Sequence, residues 1–96
     1  MYIMSMSKGI EFTKHALERM SERGTSRKFV EDIVGGAVKA ISFPSPKDSS
    51  IRLITAKDSQ GKHWTVIYSS KVITVHRAHK PEEKRYEKVF SAEKSS

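Results

Sequence analysis

The chain has 96 residues, 36% of them hydrophobic and 30% charged, which suits one small soluble domain and is too short for two hydrophobic cores. It has no cysteine, which excludes disulfides, cysteine-ligated zinc and thiol nucleophiles, and no apolar run approaches the roughly 20 residues that span a bilayer. Lysine and arginine (18) outnumber aspartate and glutamate (11), and the resulting net charge of +7 favours a polyanionic partner, either nucleic acid or an acidic protein.

Two helices joined by a short turn are predicted first. Thr13 is suited to cap the first helix, because its hydroxyl accepts a hydrogen bond from an unpaired N–H of the first turn, and Gly24 is suited to end it. Thr25 or Ser26 caps the second helix, which ends at the glycine pair beginning at Gly35. Apolar residues recur at helical spacing along both helices: Ala16, Leu17, Met20, Phe29, Val30, Ile33 and Val34.

Beyond residue 36 the apolar residues recur at every second position, which predicts strands. Four strands are expected: Ala37 to Phe43, Ile51 to Asp58, Trp64 to Ser70 and Val72 to His79. Short turns join them, so neighbouring strands must run antiparallel.

The end of the chain is expected to form a short helix and a tail. Pro81 is suited to open the helix PEEKRYEKVF, which has Tyr86 and Val89 or Phe90 on its docking side. Residues 91–96 read as a polar tail, so we expect a single domain ordered over about residues 10–90. The predicted class is α+β: an N-terminal helical hairpin packed on a four-stranded antiparallel sheet, with a short C-terminal helix. The second face of the sheet is expected to stay partly open.

Three basic residues share one row of the first helix. His15, Arg19 and Arg23 lie four residues apart, and a helix turns once per 3.6 residues. If the row faces water, it is a solvated edge that pairs with glutamates such as Glu18 and Glu22. If it faces a sheet or cleft, it places an imidazole beside two guanidiniums, a set of groups suited to phosphate chemistry.

The last predicted strand carries a second group of polar residues. Thr74 and His76 point to one face of the strand, and Ile73 and Val75 point to the other. Because the two apolar residues belong in the core under the helices, Thr74 and His76 are expected on the open face or at its edge. Arg77 follows near the end of the strand.

No metal ion and no cofactor are predicted. The His76-x-x-His79 spacing argues against a metal site, because positions i and i+3 of a strand face opposite sides of a sheet. Trp64 and Tyr68 share a face with Val66, so we assign them to packing rather than to stacking on nucleic-acid bases.

These residues suit a metal-independent cleavage of RNA. The reaction needs a base for the 2′-hydroxyl proton, an acid for the leaving 5′-oxygen and fixed positive charge on the phosphate. Histidine serves as acid or base near neutral pH, arginine binds phosphate bidentately, and a hydroxyl orients the phosphate. The candidate catalytic residues are His15, Arg19, Thr74 and His76. The candidate substrate-binding residues are Arg23, Arg77, His79 and Tyr86.

The stretch FTKHALERMSERGTSRKFVEDIV resembles the opening of a group of small prokaryotic domains, T-x-H-A-x-x-R-M-x-x-R-G-[IT]-[ST] followed by a helix that ends in glycine. That group is similar to the RelE/BrnT-like toxins of the barnase–EndoU–colicin–RelE assemblage of RNases. The resemblance covers Phe12 to about His79. It implies a helix-on-sheet α+β fold and a metal-free ribonuclease activity. The residues that match the group by position are His15, Arg19, Arg23 and Thr74.

The expected function is therefore a toxin-like endoribonuclease that cleaves tRNA or mRNA and is neutralised by an acidic antitoxin or immunity protein. The opening MYIMSMS lacks the apolar region of a secretory signal, so we expect action in the cytoplasm, or delivery there as part of a secreted parent protein. Two alternatives stay open: a non-catalytic nucleic-acid-binding module, and a phage or plasmid accessory interaction protein.

Overall fold

The computed structural model describes the backbone of residues 10–95 and the side chains of residues 10–90. Within these residues, three helices flank one sheet: α1 (Lys14–Arg23), α2 (Arg27–Gly35), β1 (Ala40–Pro44), β2 (Arg52–Lys57), β3 (His63–Tyr68), β4 (Val72–Arg77) and α3 (Lys80–Ser95). All three strand pairs are antiparallel, in the order β1-β2-β3-β4, so the predicted α+β class is confirmed. In the described part of the chain, no helix has the length and apolarity to cross a membrane.

Side-chain caps and glycines set the helical hairpin. The Thr13 hydroxyl accepts a hydrogen bond of 3.0 Å from the Ala16 N–H. The Ser26 hydroxyl accepts one from Phe29, so Ser26 rather than Thr25 caps α2. Both helices end where a glycine adopts a left-handed conformation, as at Gly24 with a φ of 75°, which costs glycine little because it has no Cβ.

The first face of the sheet forms the hydrophobic core with α1 and α2. Ile54 pairs with Val66, and Val66 pairs with Val75, so the three side chains share this face. The buried cluster consists of Ala16, Met20, Val30, Ile33, Ile54, Ala56, Trp64, Val66, Val72 and Val75. The helical hairpin therefore packs on one side of the meander, as predicted.

The second face is covered in part by α3. Thr55 and Thr65 are fully buried there, and Tyr86 of α3 is 7% exposed. The helix lies over β1 and β2, whereas Thr74 and His76 of β4 are only half-buried. The accessible part of this face is therefore its β4 side.

The observed boundaries differ most from the predicted ones at the start of β1 and at the end of α3. Strand β1 begins at Ala40 rather than Ala37, because the Ala37 N–H still bonds to the Asp32 carbonyl at the end of α2. Helix α3 begins at Lys80 and continues to Ser95, through most of the predicted polar tail. No glycine or proline follows Pro81, and Ala, Glu and Lys in the SAEKS segment favour helix, so nothing in the sequence stops it at Phe90.

The segment before α1 is joined to the outer edge of β4. The Val72 N–H bonds to the Glu11 carbonyl at 2.7 Å, and the Thr13 N–H bonds to the Val72 carbonyl at 2.9 Å. The Thr13 hydroxyl also donates to the Ile73 carbonyl at 2.8 Å. These bonds fix the start of α1 against β4 and occupy part of an otherwise unpaired strand edge.

Candidate functional site

The basic row on α1 lies at the surface. His15 and Arg23 are exposed, and the Arg19 side chain is 41% exposed. Arg19 donates a weak hydrogen bond of 3.5 Å to His15 Nε2 and forms an ion pair of 2.9 Å with Glu22. Arg19 therefore pairs within its own helix, as expected for a solvated face.

The row does not meet the polar residues of β4. Among residues 10–90, no hydrogen bond, ion pair or ring contact joins His15, Arg19 or Arg23 to Thr74 or His76. Helix α1 packs through Ala16 and Met20 on the first face of the sheet, whereas Thr74 and His76 point to the second face. The predicted site residues are thus divided between two surfaces.

A different group of side chains comes together at the end of β4. The rings of His76 and His79 stack with their centroids 4.7 Å apart and their planes 20° apart. One ligand atom from each ring and one from Glu82 lie within 4.8 Å of one another. The prediction that His76 and His79 face opposite sides was wrong, because β4 ends at Arg77 and strand alternation does not extend to His79.

Hydrogen bonds hold the Glu82 carboxylate in place. Glu82 Oε1 accepts from the Thr65 hydroxyl and from the His79 N–H, each at 2.8 Å. Thr65 lies 2.9 Å from the Thr55 hydroxyl. Since Thr65 gives its proton to Glu82, Thr55 must donate to Thr65. A chain of two buried hydroxyls therefore leads from the sheet to the carboxylate.

The same environment orients His76. Its Nδ1 lies 2.7 Å from the Arg77 carbonyl oxygen, which only accepts hydrogen bonds, so Nδ1 carries the proton. In the neutral ring, Nε2 then carries the lone pair. Nε2 is therefore the ring atom that is available to accept a proton.

Arg77 and Thr74 lie on opposite faces at this end of the sheet. The Arg77 guanidinium is 5.4 Å from the Trp64 ring centroid, and its Nε donates to the His63 carbonyl. Thr74 pairs with Ile67 and shares the face of His76. The structure therefore brings Thr74, but not the Arg77 guanidinium, to the side of the histidine pair.

Tyr86 belongs to an ion-pair cluster under α3. His63 Nε2 and Lys57 Nζ lie 2.7 Å and 2.9 Å from Glu87, and the Tyr86 ring packs edge-on against His63. Hydrogen bonds from Lys57 and His63 lower the pKa of Glu87 from 4.5 to about 2. Buried here, Tyr86 anchors α3 to the sheet, and within residues 10–90 no hydrogen bond or ring contact joins it to the histidine pair.

An apolar groove of about 350 Å³ borders the histidine cluster on the side of β1. Its lining residues are Phe43, Pro44, Pro46, Leu53, Pro81, Glu82 and Arg85. The Arg85 guanidinium lies 4.3 Å from the Phe43 ring centroid. Glu82 thus belongs both to the cluster with His76 and His79 and to the wall of this groove. The Phe43 ring and the Arg85 guanidinium also line the groove.

Sequence reasoning missed Glu82 and Thr65 as members of the site. The signal for Glu82 is its position three residues after His79, where a glutamate in the first turn of a helix bonds back to the N–H of the residue that precedes the helix. Thr65 has no such local signal. Its role depends on a contact with a helix 17 residues away.

Comparisons of the chain with models of protein families, with curated proteins and with solved structures find no match. The resemblance to RelE/BrnT-like toxins therefore stays a prediction.

Proposed function

We propose that the chain is a toxin-like endoribonuclease that cleaves tRNA or mRNA by acid–base catalysis, without requiring a metal ion. The observation that supports this proposal is the stacked pair of His76 and His79 at the accessible end of β4, 4.7 Å apart. Two imidazoles at this distance bring a proton acceptor and a proton donor to one phosphodiester. Histidine carries both roles near neutral pH.

In the proposed reaction, His76 Nε2 takes the proton of the 2′-hydroxyl. The 2′-oxygen then attacks the phosphorus, and the bond to the 5′-oxygen breaks. Protonated His79 gives its proton to that oxygen, which leaves a 2′,3′-cyclic phosphate and a 5′-hydroxyl. The Nδ1–H bond from His76 to the Arg77 carbonyl keeps the lone pair on Nε2.

We assign RNA binding, not catalysis, to the row of His15, Arg19 and Arg23. The row is separate from the histidine pair, and its exposed charges suit backbone phosphates on either side of the cleaved bond. Lys80 directly follows His79 and is exposed, so it offers a positive charge next to the pair in the chain sequence. Thr74 supplies a hydroxyl on the same face as His76.

The proposed inhibitor is an acidic antitoxin or immunity protein that covers this basic surface. A net charge of +7 speeds the encounter with such a partner, and the encounter weakens as salt screens the charges. We place the action of the enzyme in the cytoplasm, where tRNA and mRNA are found.

The test is incubation of the purified protein with total bacterial RNA in EDTA, between about pH 5 and pH 8, where histidine titrates. We expect discrete products from the wild type and none from His76→Gln or His79→Gln. His15→Gln should weaken RNA binding while leaving cleavage at saturating RNA intact. Arg27→Gln, an exposed change on α2, is the matched control and should cleave normally.

Unchanged cleavage by both His76→Gln and His79→Gln, in variants that melt like the wild type, would remove the pair from the mechanism. Intact RNA in every lane would instead favour the second candidate, a non-catalytic nucleic-acid-binding module. The observation behind that candidate is the exposed row on α1, which needs no histidine pair to bind RNA. Weak RNA association that does not depend on salt would favour an accessory interaction protein.

A further inference from the structure

We infer that His76, His79 and Glu82 form a binding site for one divalent transition-metal ion, for which Zn²⁺ is the best-suited ion. One ligand atom from each residue lies within 4.8 Å of the other two. The residues are spaced i, i+3 and i+6 across the junction of β4 and α3, where the chain turns and brings them to one side. This site is inferred from the donor atoms alone and does not depend on RNA cleavage.

The donor set selects the class of metal ion. Two imidazole nitrogens and one carboxylate oxygen suit zinc and its first-row neighbours, whereas magnesium and calcium prefer oxygen ligands throughout. Three protein ligands leave a fourth position of a tetrahedral ion for water, as in catalytic zinc sites. The side chains are half-buried (His76, Glu82) or exposed (His79), so an ion can reach them from solvent.

Two of the three ligands are already oriented by outer contacts. His76 donates its Nδ1–H to the Arg77 carbonyl, which leaves Nε2 for a metal ion. Glu82 Oε1 accepts two hydrogen bonds, and Oε2 accepts none from the side chains of residues 10–90. Metal-binding histidines and carboxylates commonly have such partners, which fix the ring orientation and raise ligand basicity.

A bound zinc ion would draw the ligand atoms closer together, and His79 is the residue that is free to move. Ligand atoms about 2.0–2.1 Å from a tetrahedral zinc ion lie roughly 3.3 Å apart, which is shorter than the 4.8 Å limit found here. His79 is exposed, and its ring makes no hydrogen bond within residues 10–90, so it is free to rotate out of its stack on His76. Zinc binding should therefore break the stacking of the two rings.

The inferred site competes with proton transfer, because a metal ion and a proton use the same lone pair of His76 Nε2. Zinc should therefore inhibit any cleavage that His76 carries out. Inhibition by zinc can be observed only if the protein cleaves RNA. Zinc binding itself can be measured without RNA.

The test is calorimetric titration of the full chain with Zn²⁺. We expect one equivalent to bind the wild type and the affinity to fall at least tenfold in His76→Ala, His79→Ala and Glu82→Gln. Thr65→Val removes the hydroxyl that bonds to Glu82 and should weaken binding by about 10- to 100-fold. His15→Ala is the matched control, because it removes an exposed histidine outside the cluster, and should bind zinc as the wild type does.

Nitrogen NMR of the histidine rings provides the second measurement. Zinc should shift the Nε2 resonance of His76 and leave that of His15 unchanged. The inference is overturned if the His76 resonance does not move on saturation, or if no saturable binding occurs. Equal affinity in His76→Ala, His79→Ala and the wild type would likewise assign the binding to other surface groups.

Discussion

At the scale of single residues, the Glu87 carboxylate makes the stability of the fold depend on pH in the acidic range. Its pKa is lowered to about 2 by hydrogen bonds from Lys57 and His63, compared with 4.5 for the free side chain. The folded state therefore takes up this proton at lower pH than the unfolded state does. The stabilisation is present above about pH 4.5 and is lost as pH falls towards about 2.

We expect Glu87→Gln to lower the melting temperature at neutral pH and to reduce its fall in acid. The reason is that the glutamine side chain does not titrate, so it takes up no proton between the folded-state and the unfolded-state pKa of Glu87. Thermal melts at about pH 6 and about pH 3 measure this difference. Glu83→Gln is the matched control, since the Glu83 side chain has no ion pair within residues 10–90. An equally steep loss of stability in Glu87→Gln would assign the acid sensitivity to other carboxylates.

At the same scale, the alternation of strand residues predicts the position of His76 but not that of His79. His76 is predicted on the second face of the sheet and lies there, because strand alternation is local and regular. His79 was placed wrongly because the strand ends two residues earlier. The Thr65–Glu82 bond could not be predicted at all, because it depends on where α3 lies over the sheet.

At the scale of secondary-structure elements, Thr13 joins a helix to a strand. Its hydroxyl accepts from the Ala16 N–H and donates to the Ile73 carbonyl, so one oxygen both caps α1 and binds it to β4. We expect Thr13→Ala to lower the free energy of unfolding by about 1–3 kcal/mol, from the loss of a cap and a tertiary hydrogen bond. Urea unfolding measures the change.

Thr13→Ser is the matched variant for this prediction, because it keeps the hydroxyl and removes only a methyl group. It should retain most of the wild-type stability. If Thr13→Ser is as unstable as Thr13→Ala, then the methyl group rather than the hydrogen bonds carries the effect.

Local signals account for most of the elements. Gly24 and Ser26 mark helix ends through bonds and conformations within a few residues. The sequence predicts Gly24 as the end of α1 and leaves Thr25 and Ser26 as alternative caps of α2. The position of α3 could not be predicted, because its docking residue Tyr86 indicates only that one side of the helix is buried. It does not indicate which face of the sheet receives it.

At the scale of the whole molecule, the excess of positive charge predicts a salt-dependent association with RNA. The logarithm of the binding constant should fall linearly with the logarithm of the salt concentration, by about 0.7 for each phosphate contact to a single strand. Arg23 is exposed and has no ion pair within residues 10–90. We therefore expect Arg23→Gln to reduce the slope by about 0.7. Filter-binding measurements across a series of salt concentrations give this slope.

Arg27→Gln is the control for charge alone. Arg27 is also exposed, but it pairs with Glu31 at 3.3 Å and lies over the Phe12 ring. Arg27→Gln removes one positive charge, as Arg23→Gln does, and should leave the slope of the salt dependence nearly unchanged. Equal slopes for the two variants would mean that the row on α1 makes no phosphate contact.

The attachment of residues 11–13 to β4 has a consequence for how the chain is made. The hydroxyl of Thr13 bonds to a carbonyl 60 residues later in the sequence. During synthesis, α1 leaves the ribosome long before the strand on which it packs exists. The strand with which α1 makes most of its sheet contacts is absent until residues 72–77 have emerged, and contacts between distant residues form slowly. The fold, and with it the histidine pair at the end of β4, is therefore completed only after β4 has emerged.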